Sequence, residues 1–454
     1  MKNYKKLLCM LSALSASLLM ANGVLGAVSV DEAAKLKTTL TPMGAERGAN
    51  ADGSIPGWDG GYTTVDKSLA VGKRGDPFSA DKPLFTITAQ NMSQYADKLA
   101  PGIQAMFKKY PDSYRLDVYA TRRTAAAPAS VYEQTFKNAT TVKIVDSAGG
   151  PMPEATAQGG IPFPIPKDGV EAIWNHLLRW RGVSWRETAS QYLVTSDGKP
   201  VLTSVGLGEF QMPYYLPGGS AEGTFWTVRL VNSGPPLRAG EGIVGRIDLD
   251  QDKSAAWTYL PGQRRVRKLP NACCDTPTPS TAGVMSFDEL SVFDGRIDRF
   301  NWKLVGKKEM YLPYNDNKIF TVAEPTALLD KHHLTQQSQR WELHRVWVVE
   351  ATLAAGKRHV LPKSTYYLDE DTWTAVLGER YDQQGQLVKV IWQPMVAMPD
   401  IPATTASMAG FYDLISGSWF ALNIPSGAKE QYHIVSPVKD STFTPDAMAG
   451  EGIR

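Results

Sequence analysis

From Trp341 to Trp392 apolar residues recur at every second position, in runs separated by short turn-forming stretches. Trp341, Leu343, Trp347, Val349 and Leu353 fall on one face of the first run, with Arg345 the exception. A turn near Gly356 leads to Val360–Leu368. An acidic turn at Asp369–Asp371 leads to Trp373–Tyr381, and a turn at Gly385 to Leu387–Trp392. A period of two is the strand repeat, and runs joined by short polar turns pair as hairpins. The pattern predicts an antiparallel meander with one apolar face, which helices, a second sheet or a ligand must cover.

The same signal recurs upstream. Tyr192 and Val194 precede an Asp197-Gly198 turn and a return strand at Val201–Val205. Trp226, Val228 and Leu230 alternate with Thr227 and Arg229, and Ile243, Gly245, Ile247 and Leu249 alternate with Arg246, Asp248 and Asp250. A last strand pair is expected at Trp419–Ile424 and Gln431–Val435. Helical signals are few. Ser29 with Glu32 forms a capping-box pattern, with Gly44 as a stop. A stretch from about Ser93 to Tyr110 is broken at Pro101-Gly102 and sets Ile103, Met106 and Phe107 on one side. Strand patterning resumes at Leu116 and includes the run Val131–Val145. Asp168 and Glu171 cap a helix in which Trp174, Leu177, Leu178 and Arg181 share a face.

The expected architecture is mainly β (α+β): a large curved antiparallel sheet, or half-open β-barrel, with a few helices on its concave face. Residues 28–115 read as a helical and irregular wrapping segment. Residues 116–454 read as the curved β domain, with a lid helix near 168–181.

Residues 1–27 read as a signal peptide, with Lys2, Lys5 and Lys6 ahead of an apolar stretch and small residues at Gly26 and Ala27. A membrane anchor is the alternative, but the stretch is diluted by three serines and Asn22. The expected location is the periplasm. The chain has 48 basic and 46 acidic residues, and three of the lysines lie in 1–27, so the remainder carries one net negative charge. Such a balance gives no reason to expect a nucleic-acid partner. Beyond Cys9 the only cysteines are Cys273 and Cys274, which can close a strained vicinal disulfide, pair with another chain, or stay free.

Catalytic signatures are missing: there is no phosphate-cradling loop, dinucleotide fingerprint, nucleophile elbow or His-Glu-x-x-His helix. The six histidines (His176, His332, His333, His344, His359, His433) have no cysteine or carboxylate at ligand spacing, so no metal or cofactor is expected. Asp248, Asp250 and Asp252 resemble the start of a calcium loop, but Lys253 and Tyr259 stand where Gly and Glu are required. Arg264, Arg265 and Arg267 follow Trp257 and Tyr259 across a Pro261-Gly262 turn. They read either as a solvated strand or as a basic lip beside an aromatic-lined cavity.

Several longer stretches are distinctive. They include Leu40–Arg47, Tyr114–Tyr119 with Arg122-Arg123, Gly160–Pro166, Glu171–His176, Tyr259–Arg267 and Trp302–Tyr311. Together they resemble the domain-of-unknown-function 1329 family of exported proteobacterial proteins, which is grouped with the lipoprotein-localisation carriers of the LolA and LolB type. The resemblance implies a half-open antiparallel barrel around helices with a hydrophobic cavity between them, and an association with envelope trafficking. It implies no catalytic residues. This chain is about twice the length of a simple carrier.

The function expected is a non-enzymatic binding or carrier protein for a hydrophobic ligand: a lipid, an acyl chain or lipoprotein-like cargo. Phe163, Trp174, Leu177, Trp226, Trp257, Tyr259 and Trp347 are the candidate cavity wall. For Phe163 and the Trp174 helix, plain core packing is the favoured reading over a lid on the sheet's apolar face. The alternatives are an assembly partner of an outer-membrane barrel or transporter and, further off, a hydrolase whose groups meet only in the fold.

Overall fold

A computed structural model of the chain describes residues 27–219, 223–270, 272–425 and 431–451. The expected signal peptide therefore lies almost wholly outside the described residues. No helix among those residues is long and apolar enough to cross a membrane.

Two meanders make one sheet, which has sixteen strands among the described residues. The later meander runs from Trp341–Leu353 through Lys363–Asp369, Ala375–Tyr381, Leu387–Trp392 and Ala409–Asp413 to Trp419–Pro425. That last strand pairs with Ser184–Val194, the first strand of the earlier meander. The earlier one continues through Pro200–Gln211, Thr224–Gly234, Gly242–Asp248 and Ala255–Leu260 to Arg265–Lys268. All these pairs are antiparallel. Phe300–Pro313 lies along the outer side of Trp341–Leu353, and Leu116–Val118 meets Trp341 in a parallel bridge. Among the described residues no pairing joins the far ends, so the sheet does not close. The expected fold class is borne out.

One hydrophobic cluster runs through the molecule from Met43 to Tyr432. The Gly169–Leu177 helix lies within it, with Asp168 Oδ1 accepting from the Glu171 amide as the cap expected from the sequence. The helix packs against Phe300–Pro313 and Trp341–Leu353 and is buried at every residue except Val170, which is half-buried. His176 is pinned on three sides: Nε2 lies 3.0 Å from the Phe293 carbonyl, Nδ1 accepts the Ala375 amide at 2.9 Å, and the Trp373 carbonyl is 3.3 Å from Nδ1. These partners favour the neutral tautomer with its proton on Nε2, and burial pushes the imidazole well below its ordinary pKa. The helix ends at Leu177, short of Arg181.

Two local expectations change. Val131–Val145 is not a strand run: Ala129–Thr141 is an α-helix. Its buried residues, Val131, Thr135, Asn138 and Ala139, are spaced at helical intervals. Its β-branched residues mimic strand composition, but Thr135 Oγ1 satisfies the Val131 carbonyl and Asn138 reaches the Gly160 and Ile161 carbonyls. Nor do the two C-terminal strands pair with each other. Trp419–Pro425 and His433–Ile434 both pair with Ser184–Val194.

The N-terminal segment wraps the later meander. Arg123 reaches Asp371 and the carbonyls of Glu46, Arg47 and Pro56, and Trp58 donates to the Ala125 carbonyl. Gly61 has φ +79, and a Cβ there would stand 2.1 Å from the Ala125 carbonyl oxygen, so only glycine lets the two strips touch.

Candidate functional site

Strand alternation places a set of apolar side chains on the concave face of the earlier meander. Trp185, Phe210, Trp226, Val228, Leu230, Ile243, Gly245, Ile247 and Ala256 all face one cavity. The expected Trp226–Leu230 and Ile243–Ile247 alternations thus become its floor. Its roof includes Phe287, Leu290 and Asp294, with Met408, Leu422 and Tyr432 at the side. The space open to the centres of water-sized molecules is about 160 Å³. A water needs roughly 10–15 Å³ by that measure, so the cavity holds on the order of ten waters.

An aromatic column forms one wall. Tyr432 stacks on Trp185 at 4.7 Å, Trp185 on Phe210 at 5.3 Å, and Phe210 on Trp226 at 5.5 Å. The Arg181 guanidinium lies 3.9 Å from the Trp226 ring centre. Arg179, Arg181, Glu187 and Asp294 are the charged residues on the lining. Arg179 is 3% exposed; it donates to the His176 carbonyl at 2.5 Å, and its Nε has no partner. Arg181 Nε reaches Met212 Sδ, a weak acceptor. Burial pushes both guanidinium pKa values down and the carboxyls up, Glu187 to about 8. Glu187 accepts one hydrogen bond, from Asn423.

The expected wall residues disperse. Trp226 lines the cavity. Trp174 and Leu177 lie in the core helix, with Trp174 Nε1 donating to the Pro151 carbonyl. Phe163 is clipped to Asn175 through both its amide and its carbonyl, and borders a void of about 10 Å³. Trp347 stacks on Trp373 at 6.2 Å with Lys307 over its face. Trp257 and Tyr259 point to the opposite side of the sheet from Ala256 and pack with Val244, Phe443 and Met448. Arg264, Arg265 and Arg267 are exposed at the sheet's edge, away from the cavity lining. Cys273 and Cys274 carry free thiols in the segment next to Ala272, itself on the lining. Sequence reasoning missed Arg179, Arg181, Trp185, Phe210 and Tyr432. The available signal was two arginines amid the apolar stretch 177–185.

A wider hollow of about 700 Å³ opens between residues 62–77 and a wall that includes Ala397, Asp400 and Ile434, with Asp66, Lys73, Arg74 and Asp76 also on its lining. The near-calcium triplet scatters: Asp248 accepts from Thr224, Asp250 from the Gly149 amide, and Asp252 pairs with Arg296. His344, Asp369 and Asp371 have potential ligand atoms within 4.8 Å of one another, yet both oxygens of Asp371 are held by Arg123, which disfavours a further cation there.

The chain is 41% identical over 450 residues to an uncharacterised protein of Pseudomonas aeruginosa, covering 96% of each. Among solved structures, a putative outer membrane lipoprotein-sorting protein domain from Vibrio parahaemolyticus aligns at TM-score 0.44 and 13% identity, over 62% of this chain and 98% of that one. A DUF1329 family protein from Desulfovibrio piger aligns at TM-score 0.42 and 14% identity, over 61% and 95%. A LolA superfamily protein from Nitrosomonas europaea aligns at 0.36 and 11%, over 62% and 99%. The model of the family described as Protein of unknown function (DUF1329) matches residues 86–449, most of the chain, and the protein belongs to that family.

Proposed function

We propose that the protein is a binding or carrier protein of the cell envelope that holds a water-insoluble molecule in the Trp185–Phe210–Trp226 cavity. The carrying observation is the cavity itself: an apolar floor and an aromatic wall enclose room that the chain's own side chains leave unfilled. Ligand pockets are built this way, with mostly apolar walls and a few placed polar groups. Burying roughly 300 Å² of apolar ligand at about 25 cal/mol per Å² supplies about 7 kcal/mol. That corresponds to a dissociation constant on the order of ten micromolar before ordering costs.

Native mass spectrometry of protein purified from its own host tests the reading, together with binding of decanol, a chain matched to the cavity. A co-purifying lipid or saturable decanol binding supports it. Leu230→Trp places an indole in the cavity and should abolish binding while the fold persists. An empty protein that binds no apolar probe, or a Leu230→Trp variant that binds as before, overturns it.

A second reading is favoured by the Arg265–Lys268 strand. It pairs on one side only among the described residues, with Arg264, Arg265 and Arg267 exposed. Such an edge suits strand addition by an assembly partner at the outer membrane. Retrieval of a barrel or transporter protein that is lost on Arg265→Glu/Arg267→Glu would support it.

A further inference from the structure

Arg179 and Arg181 enter the cavity without carboxylate partners. Among the described residues no Asp or Glu oxygen lies within ion-pair distance of either guanidinium. Two other buried arginines have carboxylate partners, whereas Arg380, like Arg179, is met by carbonyls, those of Glu379 and Val292, and by the Tyr366 ring. Arg123 has a bidentate partner in Asp371, and Arg340 is paired with Glu342 and Asp81. Burying a guanidinium costs several kcal/mol unless charge and hydrogen bonds are returned to it. Here the Trp226 face, the Met212 sulfur and one carbonyl return only part of that.

Resting on the carrier reading, we infer that the Arg179–Arg181 end of the cavity is an anion site: the cargo is an amphiphile with an acidic headgroup between the two guanidinium groups and its chain along Trp226, Val228, Leu230 and Ile247. Both arginines sit on the segment that leaves the core helix, so their backbones are fixed before any ligand arrives. The aromatic column begins beside them, with Arg181 lying over Trp226. A headgroup at that end therefore directs its chain along the apolar floor. Glu187 and Asp294 share the lining with the two arginines: burial raises both carboxyls, Glu187 to about 8, while the Arg181 charge, and for Asp294 also that of Arg179, pulls them back down. A protonated Glu187 adds a donor to the same anion.

The length of chain follows from the space. Room for on the order of ten waters is room for about ten methylenes, since the two are of similar volume. Decanoate, decanol and decyltrimethylammonium therefore share one tail and differ only in the sign of the head.

Titration calorimetry of the full mature chain at pH 7 is expected to rank decanoate at least ten-fold tighter than decanol, with the cation weakest. Arg181→Met should remove the preference, so that decanoate binds no tighter than decanol to the same variant. Arg181→Lys should retain part of the preference. Equal binding of decanoate and decanol, or tighter binding of the cation, overturns the anion site while the carrier reading survives. Failure of all three to bind overturns both. The ranking on the unaltered protein decides the matter even if the Arg181 variants do not fold.

Discussion

Replacing Arg123 by Met removes the guanidinium that ties the N-terminal wrap to the later meander. The Arg123 and Asp371 side chains are 3% and 6% exposed. Nε and Nη2 hold both oxygens of Asp371 at 2.9 and 2.6 Å. Nη2 and Nη1 also donate to the carbonyls of Glu46 (2.8 Å), Arg47 (3.2 Å) and Pro56 (3.3 Å). Methionine fills most of the volume but leaves Asp371 charged and unpaired in the interior, close to Asp369 and Glu370. Breaking a buried pair from one side costs about 3–5 kcal/mol, and the stranded carbonyls place this case toward the upper end. A loss of about 4 kcal/mol is a large fraction of a typical stability. At roughly 2–4 °C per kcal/mol for a large domain, the melting temperature should fall by about 10 °C. Differential scanning calorimetry measures this, and limited proteolysis should show new cleavage within residues 46–62. Asp371→Asn in the Arg123→Met background should recover at least about 2 kcal/mol, because it removes the stranded charge. A drop below about 2 °C, or strictly additive single and double variants, would refute the reasoning.

Three further outcomes are expected. Glu187 is pushed up to about 8 by burial, above the ordinary carboxylate value expected in the unfolded chain. The folded state therefore binds the extra proton between about pH 4.5 and 8, and stability falls as pH rises through that window. Glu187→Gln should stabilise the protein at pH 9, by at most about 5 kcal/mol, and change little at pH 4. Chemical denaturation at the two pH values checks this, and an equal effect at both counts against it. His176→Phe should cost about 2–4 kcal/mol, because it strands the Ala375 amide and the Phe293 carbonyl in the core. A melting temperature within 2 °C of the parent protein contradicts that. Met448→Ala should loosen only the cluster of Val244, Tyr259 and Phe443, so hydrogen exchange should quicken in Gly242–Asp248 and Ala255–Leu260 and stay unchanged in the later meander. Acceleration throughout the sheet would show that the Pro445–Glu451 helix, which carries Met448, supports more than its own contacts.

The strands, their turns, the Asp168 cap and the floor of the cavity were legible in the sequence, because each depends on residues a few positions apart. Period two alone assigns Val228 and Leu230 to the side of Trp226, and Ile243 and Ile247 to the side of Gly245. Composition misled at Ala129–Thr141, where β-branched residues hid a helix whose side-chain hydrogen bonds are made to Gly160 and Ile161. The arrangement of the cavity lay further from reach. Trp419–Pro425 had to join Ser184–Val194 before Leu422 and Tyr432 could stand opposite Trp185, and that pairing spans more than half the chain. Trp174, Trp257 and Trp347 carried the same aromatic signal as Trp226. Which tryptophan faces open space, and which fills the core, follows from how the sheet bends around its helix. The lack of a carboxylate ion pair at Arg179 and Arg181 among the described residues is likewise a tertiary fact. A local pattern specifies which way a side chain leaves the backbone, whereas the presence or absence of a counter-charge there depends on segments that meet only when the whole chain has folded.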